Sequence, residues 1–228
     1  MAKLTVVAIS DTHGMHRNVQ VPDGDVFIHC GDLCKYGQTN EVKDFAKWLE
    51  ALPHKYKYIT AGNHDKPIET KTQKCREIIE GTGARLFINE GVRVDGIGFW
   101  GSPTTPTFLN WHFMENRGPQ IAKVWAQIPD DVDVLITHGP PYGHGSLAPP
   151  YRTSCSKEAG CLELLKRLKE MHNKTGGPKF HIFGHIHAGY GATQSDEFPG
   201  TTFINASVCT EQYQPTNAPM VFTVSKVV

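Results

Sequence analysis

The chain has 228 residues, and its 23 Lys plus Arg balance 23 Asp plus Glu, so the formal net charge is zero. Hydrophobic residues make up 39% and charged residues 20%, which is typical of a packed core and argues against intrinsic disorder. A neutral chain gives no electrostatic reason to expect a nucleic-acid polymer or an anionic membrane as partner. The length predicts a single domain over residues 1–228.

Cysteine usage and apolar runs indicate the compartment. The apolar stretch at residues 4–9 is too short for a signal peptide, and no run approaches the roughly 20 residues that span a bilayer. The six cysteines are unevenly spaced, which is typical of reduced thiols. We therefore expect a cytoplasmic protein without a membrane partner, and the sequence leaves a homo-oligomer open.

Strand and helix patterns alternate along the chain. Apolar runs bounded by Asp or Gly predict buried strands at 3–10 and 25–29. Apolar residues at i, i+3, i+4 and i+7 from Val42 predict a helix over 40–52, which Pro53 ends because proline cannot continue the hydrogen-bond ladder. The later predicted elements are a strand at 56–60, a helix at 69–80, strands at 85–88, 92–95 and 97–100, a helix at 119–127, a strand at 132–137, a helix from about residue 161, and strands at 179–183, 191–194, 201–205 and 219–225.

This order of elements predicts the α/β class. Strands that alternate with helices and then end the chain favour two mixed sheets between helical layers, a four-layer αββα sandwich. The segment 139–156 is rich in Pro, Gly and Ser, and long loops of this kind are often functional.

Polar segments follow five of the predicted strands, at the point where each strand ends. These segments are SDTH at 10–13, CGD at 30–32, GNHD at 62–65, THG at 137–139 and GHIH at 184–187. Ligands of open α/β sheets bind at the carboxyl ends of strands. We therefore expect the five segments to converge on one site.

The residue types in these segments indicate what the site binds. Two carboxylates, an amide and four or five imidazoles form an oxygen and nitrogen donor set that suits Mn, Fe, Zn or Mg. About seven ligands are too many for one tetrahedral ion and fit two ions that share a bridging carboxylate. Such a centre polarises a phosphoryl oxygen and activates a water as hydroxide, so the pattern predicts hydrolysis of a phosphate ester. We expect two divalent ions per chain, with Mn as the first choice.

The ordered motifs D-x-H, GD, GNHD, H and GHxH resemble the signature of the calcineurin-like metallophosphoesterases over about residues 5–205. A closer likeness, to the MPPED (metallophosphoesterase domain-containing) proteins, covers nearly the whole chain, with HCGDLCKYG, ITHGPPYGHG and HIFGHIHAGYG among the matching segments. The resemblance implies the calcineurin-like metallophosphoesterase fold. The metal ligands that it implies are Asp11, His13 and His187 for one ion, Asn63, His138 and His185 for the other, and Asp32 as the bridge.

The resemblance also implies roles outside the metal ligands. His64 would lie over the scissile phosphate and stabilise or protonate the leaving oxygen, which an imidazolium can do near pH 7. Asn63 and His144 join His64 as candidates for substrate contact, His144 because it follows His138 closely in the long loop. Asp65 is expected to orient neighbouring groups. The four tryptophans are interpreted as packing, because no basic residues interleave them as in a nucleic-acid platform.

Two departures from related patterns shape the expected activity. Ser/Thr protein phosphatases of the superfamily carry GDxVDRG, but Lys35 and Tyr36 stand here at the acidic and arginine positions. The acidic partner of the catalytic histidine is therefore missing, and we do not expect protein-phosphatase activity. Mammalian MPPED proteins carry glycine at the first histidine of GHxH, whereas this chain keeps His185, so we expect a complete second metal site.

The resemblance implies a phosphodiesterase acting on small phosphodiesters such as 2′,3′-cyclic and 3′,5′-cyclic nucleotides. The same site could instead serve a phosphomonoesterase or a nuclease, although a nuclease would need a basic rim. A hypothesis of another class is a non-catalytic protein-binding scaffold with this fold. That hypothesis predicts lost ligands, whereas all seven expected ligands are present.

Overall fold

The computed structural model describes residues 2–148 and 157–226. One sheet contains β1 (Ala2–Ile9), β2 (Val26–His29), β3 (Tyr56–Thr60), β4 (Arg85–Phe87) and β15 (Met220–Lys226). Its order is β15-β1-β2-β3-β4, and every pair is parallel except β15 with β1. The carboxyl ends of its four parallel strands therefore meet at one edge.

The other sheet contains β5 (Glu90–Val94), β6 (Ile97–Ser102), β9 (Val134–Thr137), β12 (Phe180–Phe183), β13 (Gly191–Gln194) and β14 (Thr202–Asn205). Its order is β13-β14-β12-β9-β6-β5, with four parallel strands between two antiparallel edge strands. Two short ribbons pair β7 (Thr105–Pro106) with β8 (Met114–Glu115) and β10 (Leu147–Ala148) with β11 (Lys157–Glu158). The sequence patterns did not predict either ribbon.

Apolar side chains hold four layers together. Val6 and Ile28 of the first sheet pack with Ile136 and Ile182 of the second in a shared buried cluster. The outer face of each sheet packs against helices in a further buried cluster. The helices are α1 (Thr39–Glu50), α2 (Lys66–Thr70), α3 (Thr72–Glu80), α4 (Pro119–Trp125) and α5 (Leu162–Thr175). The predicted αββα sandwich is confirmed.

The predicted start of the helix at 69–80 is wrong. The chain forms α2 from Lys66, with Pro67 in its first turn, and then breaks at Lys71, where φ is −136°. Proline favours a helix start because its φ is already helical and its missing N–H is not needed there. The break at Lys71 has no such sequence signal.

The described cysteines, Cys30, Cys34, Cys75, Cys161 and Cys209, are buried free thiols, as predicted. Cys155 lies outside the described residues. Within the described ranges, no helix is both long and apolar enough to span a membrane.

A buried histidine supports the carboxyl end of β9. The Thr137 hydroxyl donates to the Gly139 carbonyl at 2.7 Å, so the His181 Nε2–H donates to the same hydroxyl at 2.9 Å. Burial in the core lowers the pKa of His181 to about 3, and the ring is neutral at physiological pH. This hydrogen bond fixes the residue that precedes His138.

We predict that His181 makes the fold sensitive to acid. An unfolded histidine takes up its proton near pH 6.5 and folded His181 only near pH 3, so between these values the unfolded state binds more protons. Stability should therefore fall as the pH falls, with a contribution from His181 approaching about 1.4 kcal/mol per pH unit. Urea unfolding from pH 6.5 to 4 should show a shallower dependence in His181→Gln, and an unchanged slope would contradict this account.

Candidate metal centre

Backbone hydrogen bonds bring four of the five strand ends together, and the Asp32 carboxylate joins the fifth by accepting from the His64 N–H. Ser10 joins the two sheets, because its N–H donates to the Ala206 carbonyl at 2.8 Å and its carbonyl accepts from Val208 N at 2.9 Å. The Asp11 N–H donates to the Gly31 carbonyl at 2.9 Å, which links the loops after β1 and β2. The Gly184 N–H donates to the His138 carbonyl at 2.9 Å, which links the loops after β12 and β9. The predicted segments therefore converge at one edge.

Unusual backbone conformations are concentrated at these strand ends. Asp11, His13, Asp32 and His185 have φ of 57°, 43°, 56° and 68°. This left-handed region is uncommon for residues with a side chain, and such strain clusters at functional sites. The strained turns place all four side chains in or beside the same two groups of donor atoms, described next.

The first donor cluster is Asp11, His13 and His187, whose donor atoms lie within 4.8 Å of one another. The Nε2 atoms of His13 and His187 are 3.3 Å apart, and His187 Nε2 is 3.5 Å from Asp11 Oδ1. The His187 Nδ1–H donates to the Thr210 carbonyl at 2.9 Å. Asp11 also accepts hydrogen bonds from Ser207 Oγ at 2.7 Å and from the backbone N–H of His185.

The second donor cluster is Asp32, His138 and His185, again within 4.8 Å, with Asn63 beside it. His138 Nε2 lies 3.0 Å from Asn63 Oδ1 and 3.4 Å from Asp32 Oδ1. The His138 Nδ1–H donates to the Cys30 carbonyl at 2.9 Å. The other oxygen of Asp32 is 3.9 Å from Nε2 of His13, so this carboxylate faces both clusters.

The hydrogen bonds of the imidazoles test whether metal ions fit. A carbonyl only accepts, so Nδ1 of His138 and of His187 carries the hydrogen, and Nε2 of the neutral ring holds the lone pair. Each lone pair then faces a carboxylate oxygen of Asp32 or Asp11, which is also an acceptor. Buried acceptors that face one another need a cation between them, and a carbonyl behind a histidine is typical of metal ligation. The donor set therefore fits divalent cations.

Protons meet this need when no metal is bound. Burial lowers the pKa of His138, but the neighbouring Asp32 carboxylate outweighs burial and raises this pKa to about 9. The pKa of His187 is also raised, against burial, by its contact with Asp11. His13 and His185 lack this excess of attraction, so burial lowers their pKa values to about 4 and about 3.

Comparison with known proteins identifies this arrangement. The sequence model of the calcineurin-like phosphoesterases matches residues 4–189. The chain belongs to the calcineurin-like phosphoesterase family. Metallophosphoesterase domain-containing protein 1 of Homo sapiens is 36% identical over 94% of this chain and 69% of the human protein. A UPF0046 protein of Caenorhabditis elegans is 38% identical over 98% of this chain and 76% of its own length.

Solved structures share the fold at low sequence identity. One has a TM-score of 0.64 at 14% identity and covers 98% of this chain and 100% of its own. The TT1561 protein of Thermus thermophilus has a TM-score of 0.57 at 14% identity, covering 90% of this chain and 89% of that one. As a calcineurin-like phosphoesterase, the protein is a phosphoric ester hydrolase, and the predicted family is confirmed.

In this calcineurin-like phosphoesterase, a backbone carbonyl contacts the ring of His64. His64 is half-buried, and its ring centroid is 4.6 Å from that of His13. Its Nδ1 lies 3.3 Å from the Lys35 carbonyl, which can only accept a hydrogen bond, so Nδ1 carries the hydrogen. Nε2 remains available for proton transfer. The His64 N–H donates to Asp32 Oδ1 at 2.8 Å. The donor atoms of His64, His13 and Asp32 also lie within 4.8 Å of one another.

Asp65 connects two of the strand-end loops. Its fully buried carboxylate accepts from the N–H groups of Cys34 at 2.8 Å, Gly62 at 2.8 Å and Leu33 at 3.3 Å. Burial, with the Asp32 charge second, raises the pKa of Asp65 to about 6. Asp65 therefore fixes the position of the Asp32 loop relative to the Asn63–His64 loop, in line with its expected orienting role.

His144 is not brought together with the other predicted site residues. Its ring stacks on Phe203 at a centroid distance of 4.0 Å and meets Phe198 edge-on at 5.4 Å. These ring contacts give His144 a packing role, so the structure offers no support for its predicted contact with substrate. The predicted substrate contact rests on proximity along the chain to His138 and stays a prediction. Residues 149–156 of that loop lie outside the described residues.

Aromatic residues that the sequence patterns did not assign to the site lie at its rim. Trp111 is 40% exposed and its ring packs 4.5 Å from that of His64, so this packing residue lies beside the site. Phe108 is 5.3 Å from His185, and Tyr213 is 4.8 Å from His13. No spacing in the sequence indicates these contacts, because the loop after β7 and the segment after Thr210 follow no regular pattern.

We predict that Gly184→Ala impairs metal binding. A Cβ at Gly184 would overlap Asp11 Oδ2 and Ser10 Oγ, so the added methyl must displace the Asp11 carboxylate. The affinity for Mn²⁺ should fall about tenfold to a hundredfold, the range for groups that orient metal ligands. Calorimetric titration with Mn²⁺ measures this change, and circular dichroism confirms folding. Gly81→Ala, in which the nearest atom is Glu77 O at 3.0 Å, is the matched control, and equal affinities in the two variants would refute the packing argument.

Proposed function

We propose that this calcineurin-like phosphoesterase hydrolyses small phosphodiesters at a two-metal centre. The observation that carries the proposal is the pair of donor clusters that share the buried Asp32 carboxylate. The proposed ligands are Asp11, His13 and His187 for one ion, Asn63, His138 and His185 for the other, and Asp32 for both. Mn²⁺ is the proposed ion, because an oxygen and nitrogen set without thiolate suits it.

The residues and the ions divide the work of the reaction. When bound, the ions supply Lewis-acid polarisation of the phosphoryl group and a water of lowered pKa. His64 contributes a proton to the leaving oxygen from Nε2, while the Lys35 carbonyl holds Nδ1–H and fixes the orientation of the ring. The Asp32 carboxylate accepts the His64 N–H and so fixes the distance between the acid and the two clusters.

The rim of the site supports a small organic diester as substrate. A phosphodiester carries an organic group on each side of the phosphorus, and Trp111, Phe108 and Tyr213 provide apolar surface beside the two clusters. Aromatic faces stack on nucleobases, so cyclic nucleotides with 2′,3′- or 3′,5′-linkages are the proposed substrates. A neutral chain fits a small molecule better than a nucleic-acid polymer.

A panel of substrates tests the reaction class. With saturating Mn²⁺, we expect turnover of bis(4-nitrophenyl) phosphate and of cyclic nucleotides, with kcat/KM about tenfold or more above that of 4-nitrophenyl phosphate. A preference for the monoester would overturn the diesterase proposal. Bound metal without turnover of any phosphoester would favour the scaffold hypothesis instead. Repeating the panel with Fe²⁺, Zn²⁺ and Mg²⁺ tests the choice of metal.

We predict that His64 and His185 fail in different ways when replaced. His64→Ala should lower kcat by about a hundredfold to ten-thousandfold, the range for a general acid, and keep its metal. His185→Gly should lose metal affinity and consequently rate. Metal analysis of each purified variant, followed by kinetics at saturating Mn²⁺, separates the two effects. Loss of metal in His64→Ala would reassign His64 as a ligand, and an unchanged rate in His185→Gly would remove it from the ligand set.

A further inference from the structure

We propose that a cavity beside His64 is a leaving-group subsite for a planar group that carries negative charge. The cavity has a volume of about 370 Å³, and its walls include Lys35, Tyr36, Lys66 and Trp111. His64 itself lines the cavity. The inference rests on the proposed function, since it takes His64 as the acid that protonates the leaving oxygen.

The position of His64 determines which part of a substrate enters the cavity. One side of its ring faces the donor clusters, with His13 at 4.6 Å, and Trp111 lies at 4.5 Å and an interplanar angle of 30°. During hydrolysis a water oxygen bonds to phosphorus, the P–O bond to the leaving group breaks, and the leaving oxygen takes the proton from His64. The leaving group must therefore lie within reach of His64, and this cavity adjoins the His64 ring.

The chemistry of the walls indicates a charged, planar group. Two lysines, Lys35 and Lys66, line the cavity, and no carboxylate residue lines it among the residues that the structure describes. Trp111 and Tyr36 add aromatic rings, and Tyr36 is 71% exposed with the Lys35 Nζ 5.1 Å from its ring centroid. Ammonium groups attract an anion and aromatic rings stack on a planar group, so a ring that bears a carboxylate or phosphate satisfies both.

Hydrogen bonds hold two walls of the cavity in place. Glu69 of α2 accepts from His112 Nδ1 at 2.6 Å and from the Phe113 N–H at 2.7 Å, which fixes the loop that carries Trp111. Glu41 of α1 accepts from the backbone N–H groups of Lys35 at 2.8 Å and Tyr36 at 3.1 Å. Walls that are ordered before binding lose less conformational entropy when a ligand binds, and this preorganisation favours binding.

Two diesters that differ only in the leaving group test the proposal. Methyl 4-nitrophenyl phosphate has a neutral aryl leaving group, and methyl 3-carboxy-4-nitrophenyl phosphate adds a carboxylate. Each releases methyl phosphate and a nitrophenol, which is measured as its coloured phenolate after the phenol loses its proton to the buffer. With the Mn²⁺-loaded full chain, we expect kcat/KM for the carboxylated diester to exceed that of the neutral one about fivefold.

Variants assign this preference to the cavity. In the double variant Lys35→Met, Lys66→Met, the ratio of the two kcat/KM values should fall to about one, since the charge attraction is removed. Lys123→Met replaces an exposed lysine of α4 outside the cavity and should keep the ratio. Trp111→Leu should lower kcat/KM for both diesters about fivefold because stacking is lost. A ratio at or below one in the unaltered chain, or a ratio kept in the double variant, would overturn the proposal.

A binding measurement separates this proposal from the proposed function. The leaving group 5-hydroxy-2-nitrobenzoate should quench tryptophan fluorescence in the unaltered chain, with weaker binding in the double variant and much less quenching in Trp111→Leu. If neither diester is hydrolysed by metal-loaded protein, the proposed function fails, and this titration still decides the subsite. Quenching that is the same in all three proteins would show that the nitrobenzoate binds elsewhere and would refute the subsite.

Discussion

The structure depends on placing three carboxylates, Asp11, Asp32 and Asp65, in the interior where two sheets meet. All three are at most 2% exposed, and a buried charge is stable only when hydrogen bonds and opposite charges replace the lost water. Asp65 is satisfied by three backbone N–H groups. Asp11 accepts from two donor groups and Asp32 from one, and both carboxylates also face the Nε2 atoms of neighbouring imidazoles. The Asp65 carboxylate is therefore structural, whereas Asp11 and Asp32 need positive charge beside them, from protonated imidazoles or from metal ions.

The arrangement of the two sheets brings these carboxylates and imidazoles together. Parallel strands place every carboxyl end at one edge, and the Ser10 bridge brings the edges of both sheets together. The turns after β1, β2 and β12 then use left-handed residues at Asp11, Asp32 and His185. Each such residue costs about 1–3 kcal/mol, so this conformation persists only because packing and hydrogen bonds around it over-determine the turn. His181 and Gly184 both belong to this packing. His181 contacts the residue before His138, and Gly184 lies against the Asp11 carboxylate.

Sequence patterns predicted the layers and the grouping of site residues because both follow from periodicity and from the rule that strand ends converge. Strand ends with Asp, Asn and His could therefore be assigned to one site without knowing a single distance. The patterns did not predict features that depend on the conformation of the backbone. The break at Lys71, the pairing of β7 with β8, and the contact of Trp111 with His64 depend on main-chain geometry and loop length, which leave no residue-type signature. The substrate contact of His144 and the single domain over 1–228 stay predictions.

Lys35 has two physical roles, one for its main chain and one for its side chain. An acidic residue there would orient the histidine through a charge, whereas the Lys35 carbonyl orients His64 through a neutral acceptor, because Glu41 holds the Lys35 N–H. With orientation supplied by the main chain, the side chain is free to serve another purpose. It lines the cavity next to His64, where an aspartate would have repelled an anionic leaving group and a lysine attracts one. In the proposed subsite, the missing acidic partner and the cationic wall are therefore two consequences of the same residue, Lys35.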